Sequence, residues 1–144
     1  KEHGCEYIIN YKEENVSKKV MEITNNEGVQ VVYDGVGRDT FLESINSLSV
    51  RGLLVSFGQS SGMVDKLDLH QIFNPQSLFY TRPNLMNYTL NNEELKECSN
   101  KLFEKMRIGE IKSNIFKKIK LEEAQKAHEI LQSRKSFGSI ILEP

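Results

Sequence analysis

The sequence predicts an α/β fold with a buried parallel sheet. Two short apolar runs, Val29–Asp34 and Leu53–Phe57, are rich in β-branched and aliphatic residues, and glycine follows each run directly. The segment between them, from Asp39 to about Ser49, has the apolar spacing of an amphipathic helix. A strand–helix–strand unit of this composition is typical of a parallel sheet. Ligands of open α/β sheets bind outside the carboxyl ends of the strands, so the glycines at these ends are candidate site residues.

Further elements are predicted on both sides of this unit. Tyr7–Tyr11 is expected to be a strand, and a helix from about Glu13 to Thr24 should follow it and end near Gly28, which suits a cap with positive φ. A short helix near Leu69–Phe73 and a strand at Ser77–Thr81 are expected after the central unit. The predicted buried stripe of the central helix consists of Phe41, Ile45 and Leu48.

The pattern changes at Pro83, because proline disfavours helix at the residue before it. Beyond it, Asn92 is expected to cap a long helix that ends at Gly109. An extended segment over Ile111–Ile119, a helix over Leu121–Ser133 and a closing strand over Gly138–Leu142 should follow. The residues of that last helix predicted to face inward are Ala124, Ala127 and Leu131. The sequence thus predicts a β-α-β-α-β-β region and then an α-β-α-β region.

Composition excludes several classes of function. The 144 residues include 19 basic and 20 acidic side chains, a net charge of −1, which gives no general attraction to nucleic acids or acidic membranes. No apolar run reaches the roughly 20 residues of a membrane span. Cys5 and Cys98 belong to no metal-binding spacing, so a reduced, cytoplasmic chain is expected. The opening residues, Lys1–Cys5, are expected to come from the middle of a longer protein.

Few residues suggest chemistry on their own. Gly35-Val-Gly37 resembles the start of a Gly-x-Gly-x-x-Gly phosphate loop, but the third glycine is replaced by Thr40, so a tight strand-to-helix turn is the favoured interpretation. The three histidines are scattered, and no catalytic or metal-ligand spacing joins them. Arg134 lies between a helix and a glycine-led strand, where arginine could bind a phosphate. Alone, such an arginine is more often a solvated surface residue.

Several segments taken together carry a family resemblance. They are Ile9–Tyr11, Val32–Gly37, Gly52–Gly58, Tyr80–Pro83 and Ala127–Arg134. In this order and spacing the chain resembles the carboxyl-terminal half of NADPH:quinone oxidoreductases, the zinc-free branch of the medium-chain dehydrogenase/reductase superfamily that includes zeta-crystallin. The resemblance covers essentially the whole chain. It implies a partial Rossmann doubly wound parallel sheet in residues 1–82 and the carboxyl-terminal part of the catalytic domain in residues 83–144.

The resemblance also implies that part of the protein lies upstream. The glycine-rich phosphate loop, a lysine that follows it and most of the substrate pocket of this family would precede Lys1. With the Rossmann strand order 3-2-1-4-5-6, strands 1 and 2 would be missing, and the strand at Tyr7–Tyr11 would have no neighbour. We therefore expect the chain to be part of a longer enzyme and to be inactive in isolation.

The resemblance implies a set of cofactor-binding residues, no catalytic side chain and no metal ligand. Tyr11 would stand beside the adenosine 2′-phosphate, which favours NADPH over NADH. Arg134 would contact a cofactor phosphate, and Gly138 would permit close packing nearby. The residues that would border the dinucleotide or the nicotinamide are Gly35, Phe57, Gly58, Gln59, Phe79, Tyr80 and Thr81.

The implied reaction is hydride transfer from NADPH to a quinone or a similar electron-poor acceptor, and the implied assembly is a homodimer. Reduction of an enone or an enoyl thioester is an alternative within the superfamily. A non-catalytic RNA-binding or structural, crystallin-like protein is a second class, against which the near-neutral charge argues. Salt-dependent RNA binding would favour that class, whereas NADPH consumption with a quinone would favour the enzyme. An unrelated Rossmann protein, such as a methyltransferase, is disfavoured by the five segments.

Overall fold

The structure is a computed structural model that describes residues 4–133 and 135–144. The chain forms two compact units, Lys1–Asn87 and Tyr88–Pro144. Each unit combines helices with a sheet whose strands all pair in parallel. The predicted α/β class with parallel strands is therefore confirmed.

The first unit is built on a three-stranded sheet. Its elements are α1 (Val16–Ile23), β1 (Val29–Asp34), α2 (Phe41–Asn46), β2 (Leu48–Ser56), α3 (Leu69–Phe73) and β3 (Phe79–Thr81), and α4 (Leu85–Tyr88) follows. The strands lie in the order β1-β2-β3. Because all three run in the same direction, their carboxyl ends lie at one edge of the sheet. The predicted strand–helix–strand unit is confirmed.

Apolar side chains of α2 and β2 form the core of this unit. Phe41, Ile45, Leu48 and Leu54 are buried together, and Leu48 and Leu54 have no exposed surface. The predicted buried stripe of the central helix region is therefore confirmed. Burial of an aliphatic side chain of this size stabilises a fold by about 1.5–3 kcal/mol. Within the described residues one face of β1 is left open, since the Tyr33 side chain is 73% exposed.

The predicted strand at Tyr7–Tyr11 is wrong. Residues 7–10 have no regular structure, and residues 11–13 form a turn. A strand requires a hydrogen-bonded neighbour, and within the described residues no strand pairs with this segment. The helix that follows starts three residues later than predicted, at Val16, because the Asn15 Oδ1 caps it by accepting a hydrogen bond from the Lys18 N–H at 2.7 Å.

The central helix is shorter than predicted because the next strand begins early. Leu48 pairs with Val29 at the start of β1, and the Val29 N–H donates to the Ser47 carbonyl at 2.9 Å. The chain must therefore leave the helix at Asn46. Gly28 has the predicted positive φ, at +75°. A Cβ at this position would lie 2.8 Å from the Ser49 nitrogen, so only glycine fits the turn into β1.

Two differences surround β3. The strand begins at Phe79 rather than Ser77, because Ser77 closes a turn in the left-handed region with φ 53°. The short helix α4 is not predicted by the sequence pattern. The Asn84 side chain starts it by accepting a hydrogen bond from the Met86 N–H at 3.1 Å.

The second unit contains α5 (Asn92–Arg107), β4 (Ile115–Lys120), a 3₁₀ turn (Leu121–Glu123), α6 (Ala124–Gln132) and β5 (Ser139–Glu143). The strands β4 and β5 pair in parallel. Asn91 rather than the predicted Asn92 caps α5, since its Oδ1 accepts hydrogen bonds from the Glu93 and Glu94 N–H groups at 3.0 and 2.9 Å. Within residues 4–133 and 135–144, no helix is long and apolar enough to span a bilayer.

The burial pattern of α6 matches the prediction only in part. Ala127 is buried, as is Ile119 of β4, and Ala124 is half-buried. Leu131, predicted to face inward, is 60% exposed, whereas Ile130 is half-buried. The regular α turns start only at Ala124, after the 3₁₀ turn, rather than at the predicted Leu121.

Replacement of Leu54 by alanine should destabilise the first unit by about 2–5 kcal/mol, because it opens a cavity at a side chain with no exposed surface. Urea denaturation followed by circular dichroism measures the loss. Leu42→Ala on α2 is the matched control, since Leu42 is 60% exposed and should cost less than about 0.5 kcal/mol. Equal losses for the two variants would contradict the placement of the core.

Candidate functional site

The carboxyl ends of the three parallel strands bring three loops together. The strands end at Asp34, Ser56 and Thr81. We call residues 34–40, 56–62 and 81–85 the carboxyl edge. In open α/β sheets this edge is where ligands bind.

Asp34 organises the first of these loops. Its side chain is buried and accepts hydrogen bonds from the Val36 N–H at 2.8 Å and the Gly37 N–H at 3.0 Å. The hydroxyl groups of Thr40 and Ser44 donate to the same carboxylate at 2.9 and 2.8 Å. The carboxylate therefore holds the turn after β1 and the start of α2 in one arrangement.

The environment of Asp34 keeps its carboxylate ionised. Burial alone would raise the pKa, but the hydrogen bonds from Gly37, Ser44, Val36 and Thr40 outweigh burial and hold the pKa of Asp34 below its usual value. All of these donors stabilise the charged form. Such a satisfied carboxylate acts as a structural anchor rather than as a proton donor at neutral pH.

Ser61 joins the first loop to the second. Its hydroxyl group donates to the Val36 carbonyl at 2.7 Å and accepts a hydrogen bond from the Asp39 N–H at 3.0 Å. The Arg38 guanidinium donates to the Ser61 carbonyl at 2.7 Å. These bonds fix the loop after β2 against the loop after β1.

Two glycines allow the loops to approach each other closely. A Cβ on Gly58 would lie 2.5 Å from the Gly35 carbonyl oxygen, and a Cβ on Gly35 would lie 2.9 Å from the Phe57 ring. Side chains at either position would force the loops apart. The structure thus brings together Gly35, Phe57 and Gly58, three of the residues expected to bind the cofactor.

Tyr11 lies in a groove beside this contact. The groove has a volume of about 220 Å³, and its lining includes Tyr11, Gly35 and Glu43. The Glu43 carboxylate accepts hydrogen bonds from the Ser17 N–H at 2.8 Å and the Asn15 side-chain amide at 3.0 Å. The Ser17 N–H is the main reason why the pKa of Glu43 is lowered. Tyr11 is 44% exposed, so its ring is accessible in the groove.

The other side of the carboxyl edge carries a guanidinium group. The Arg82 Nη2 donates to the Gln59 Oε1 at 2.7 Å, which links the ends of β2 and β3. Arg82 lines two cavities. One, of about 430 Å³, includes Gln59, Met63 and Tyr80 in its lining, and the other, of about 480 Å³, includes Phe57.

The three predicted residues of β3 differ in their surroundings. Tyr80 packs edge-to-face on Phe41 and Phe73, with ring centroids 6.4 and 5.9 Å apart. Phe79 is exposed, and Thr81 pairs with Val55 as the last residue of the strand. Their backbone therefore reaches the carboxyl edge, but Tyr80 is also held by the core.

Two predicted site residues lie outside the first unit. In the second unit, Gly138 has φ +101°, and a Cβ on it would lie 2.5 Å from the Asn114 carbonyl oxygen, so it packs closely against that backbone. Its place near a cofactor stays a prediction. Arg134 lies outside the described residues. His70 and His128 are exposed, as expected for solvated histidines, and His3 also lies outside the described residues.

Sequence reasoning missed Asp34, Ser61 and Arg82. A signal existed for Asp34, because an acidic residue at the end of an apolar strand is followed by hydroxyl residues at Thr40 and Ser44 on the next helix. Ser61 and Arg82 gave no comparable signal, since their partners are 22 to 25 residues away in sequence.

Comparison with known proteins identifies the family. A family model described as zinc-binding dehydrogenase matches residues 3–142. The chain belongs to this family. Among the described residues, no group of three or more His, Cys, Asp or Glu side chains could hold a metal ion. The assignment of this chain to the zinc-free branch of the superfamily remains a prediction.

The proteins similar to this chain include several that are named as reductases or oxidoreductases. Quinone oxidoreductase 1 of Escherichia coli is 46% identical over 143 residues, which cover 98% of this chain and 44% of the relative. The 2-haloacrylate reductase of a Burkholderia species is 38% identical over 142 residues, which cover 98% of this chain and 43% of the relative. The crystal structure of E. coli quinone oxidoreductase complexed with NADPH superposes with a TM-score of 0.91 at 47% identity, with 98% and 44% covered.

The predicted resemblance to quinone oxidoreductases is therefore confirmed, and the chain corresponds to the carboxyl-terminal part of these relatives. It spans less than half of their length, 44% in the E. coli protein. The match includes both units, because only two residues at each end lie outside the family model.

Replacement of Asp34 by asparagine should destabilise the first unit by about 3 kcal/mol, because an amide cannot accept from all four donors and adds two donors of its own. Asp39→Asn in the same loop is the control, since the Asp39 side chain is 52% exposed and lies 3.8 Å from Arg38. Urea denaturation at pH 7 measures both.

The stabilisation by Asp34 should depend on pH. The folded pKa lies below the unfolded value of about 3.9, so the contribution is complete above that value and is lost as pH falls through the folded pKa. The difference between the original protein and Asp34→Asn should thus be constant from pH 7 to 5 and shrink below pH 4. A difference that grew toward acidic pH would contradict a lowered pKa.

Proposed function

We propose that this chain is the carboxyl-terminal part of an NADPH-dependent oxidoreductase that reduces a quinone or a similar electron-poor acceptor. The observation that carries the proposal is the close approach of Gly35 and Gly58 at the carboxyl edge, in a chain of this family. Glycines just past the ends of adjacent parallel strands let a dinucleotide approach the backbone closely. In this proposal residues 1–82 belong to the cofactor domain and residues 83–144 to the catalytic domain.

The residues present fit one side of NADPH. A Cβ at Gly58 would clash with the Gly35 carbonyl oxygen, so glycine at these positions lets the two loops pack directly against each other at the end of the sheet. Tyr11 would donate its hydroxyl hydrogen to the 2′-phosphate, and Phe57, Gly58 and Gln59 would border the cofactor at the carboxyl end of their strand. The other residues proposed to contact the cofactor are Phe79, Tyr80, Thr81, Arg134 and Gly138. When bound, NADPH supplies the hydride.

The carboxyl edge has groups for binding and orientation. Its buried carboxylate, Asp34, is fully used in hydrogen bonds, and Ser61 is held between two loops. These residues keep the glycine backbone in place. The acceptor oxygen would take its proton from solvent, so the proposal needs no dedicated acid. The homodimer and the cytoplasmic location implied by the resemblance are part of the same proposal.

A second candidate is reduction of an activated carbon–carbon double bond. The 38% identity to a 2-haloacrylate reductase favours it. The two activities share the hydride donor and differ in the acceptor, so they are tested together. The full-length protein is supplied with NADPH and either 1,4-benzoquinone or 2-chloroacrylate, and absorbance at 340 nm is followed. Consumption only with benzoquinone supports the first proposal, and consumption with neither acceptor would overturn both.

Replacement of Tyr11 by phenylalanine should weaken NADPH binding about tenfold and leave NADH binding nearly unchanged, because only NADPH carries the 2′-phosphate and hydrogen bonds to charged groups contribute about 1.5–3 kcal/mol. Titration calorimetry of the full-length protein measures both dissociation constants. Tyr7→Phe is the control, since Tyr7 is exposed and lies outside the groove lining. Equal weakening of both nucleotides by Tyr11→Phe would refute the assignment.

A further inference from the structure

The strongest unassigned feature of the first unit is Arg82 at the carboxyl edge. We propose that its guanidinium group selects electron acceptors that carry an anionic substituent, such as a carboxylate or a sulfonate. This inference rests on the proposed function for the identity of the acceptor. The inference adds to that function a residue that determines specificity, Arg82, and a preference for negatively charged substrates.

The position of Arg82 is the first argument. It directly follows Thr81, the last residue of β3, and lines both cavities of about 430 and 480 Å³ at this edge. The larger cavity is also lined by Phe57 and Asn84. A ligand in either cavity would lie beside the guanidinium group.

The charge of Arg82 is the second argument. Its hydrogen bond is to the neutral Gln59 amide oxygen at 2.7 Å, and within the described residues no carboxylate lies within 4.0 Å of it. By contrast, Arg107 pairs with Glu104 at 2.8 Å and Arg38 lies 3.8 Å from Asp39. A guanidinium group has five N–H donors, so most of the donors of Arg82 are available to a ligand.

The hydrogen bond with Gln59 is the third argument. A neutral amide orients the guanidinium plane without cancelling its charge, which suits recognition of an anion. Gln59 follows Gly58 on the loop after β2, so the pair spans the ends of β2 and β3. A carboxylate at position 59 would hold the same geometry but neutralise the charge.

The test uses the full-length protein and two acceptors, neutral 1,4-benzoquinone and anionic 1,2-naphthoquinone-4-sulfonate. Arg82→Gln should raise the KM for the sulfonated quinone about tenfold and change the KM for benzoquinone and the Kd of NADPH less than twofold. Gln59→Glu should also raise the KM for the sulfonated quinone, with Arg82 still present, and Arg82→Lys should restore part of the affinity for that acceptor. Added salt should reduce the effect of Arg82→Gln on the KM for the sulfonated quinone, because salt screens the attraction between the guanidinium and sulfonate groups.

The matched control is Arg51→Gln, which removes one positive charge at an exposed residue of β2 away from the carboxyl edge. It should leave all constants unchanged. A second readout is the Kd of 1-naphthalenesulfonate for the NADP⁺-loaded protein, measured by calorimetry. This Kd should rise about tenfold in Arg82→Gln.

The outcomes separate this inference from the proposed function. Failure to reduce any quinone would overturn the function, but the naphthalenesulfonate measurement would still decide the role of Arg82. A weaker affinity for NADPH that equals the loss for the sulfonate would make Arg82 a cofactor contact and refute the inference. Equal effects on neutral and anionic acceptors, or an Arg51→Gln variant that behaves like Arg82→Gln, would also refute it.

Discussion

The first unit depends on a buried carboxylate at the end of a strand. Burial of a charge is costly unless hydrogen bonds compensate for it, and four donors surround Asp34. Two donors are backbone N–H groups of the turn, and two are side chains of Thr40 and Ser44. The same requirement therefore fixes the end of β1, the turn and the start of α2. Because the turn is fixed, Gly35 remains in position to pack against Gly58, and the contact between the two loops is kept.

The charged side chains of the carboxyl edge differ in their hydrogen-bond partners. Asp34 is enclosed by donors, and Arg38 donates to the Ser61 carbonyl, so both serve the loop structure. Arg82 is held by a neutral amide and lines open cavities. The charged groups that hold the loops, Asp34 and Arg38, therefore have protein partners that use their hydrogen-bonding capacity. The guanidinium group of Arg82 is oriented by Gln59, but its charge is not neutralised. This division gives a physical reason to look for specificity at Arg82 rather than at the more strongly bonded groups.

Periodicity in the sequence predicted what depends on neighbours along the chain. The runs at Val29–Asp34 and Leu53–Phe57 and the stripe of Phe41, Ile45 and Leu48 led to the parallel sheet and its core. The strand at Tyr7–Tyr11 could not be judged in this way, because a strand exists only with a partner. The end of α2 was also missed, since Leu48 pairs with Val29 about 20 residues away. At the site, Gly35 and Gly58 could be predicted because each directly follows a predicted strand. Ser61 and Arg82 could not, because their hydrogen-bond partners are distant in sequence.

The amino end of α1 shows how the fold uses a feature that could otherwise bind phosphate. Free N–H groups at a helix N-terminus favour anions. Here the Glu43 carboxylate accepts from the Ser17 N–H, and the Asn15 side chain accepts from the Lys18 N–H. The Ser17 bond joins α1 to α2, and the Lys18 bond caps α1 itself. Glu43 also adds negative charge to the groove of Tyr11. A dinucleotide in this groove would therefore need its phosphate charge balanced by groups outside α1, so Tyr11 can add selectivity but cannot supply that balance.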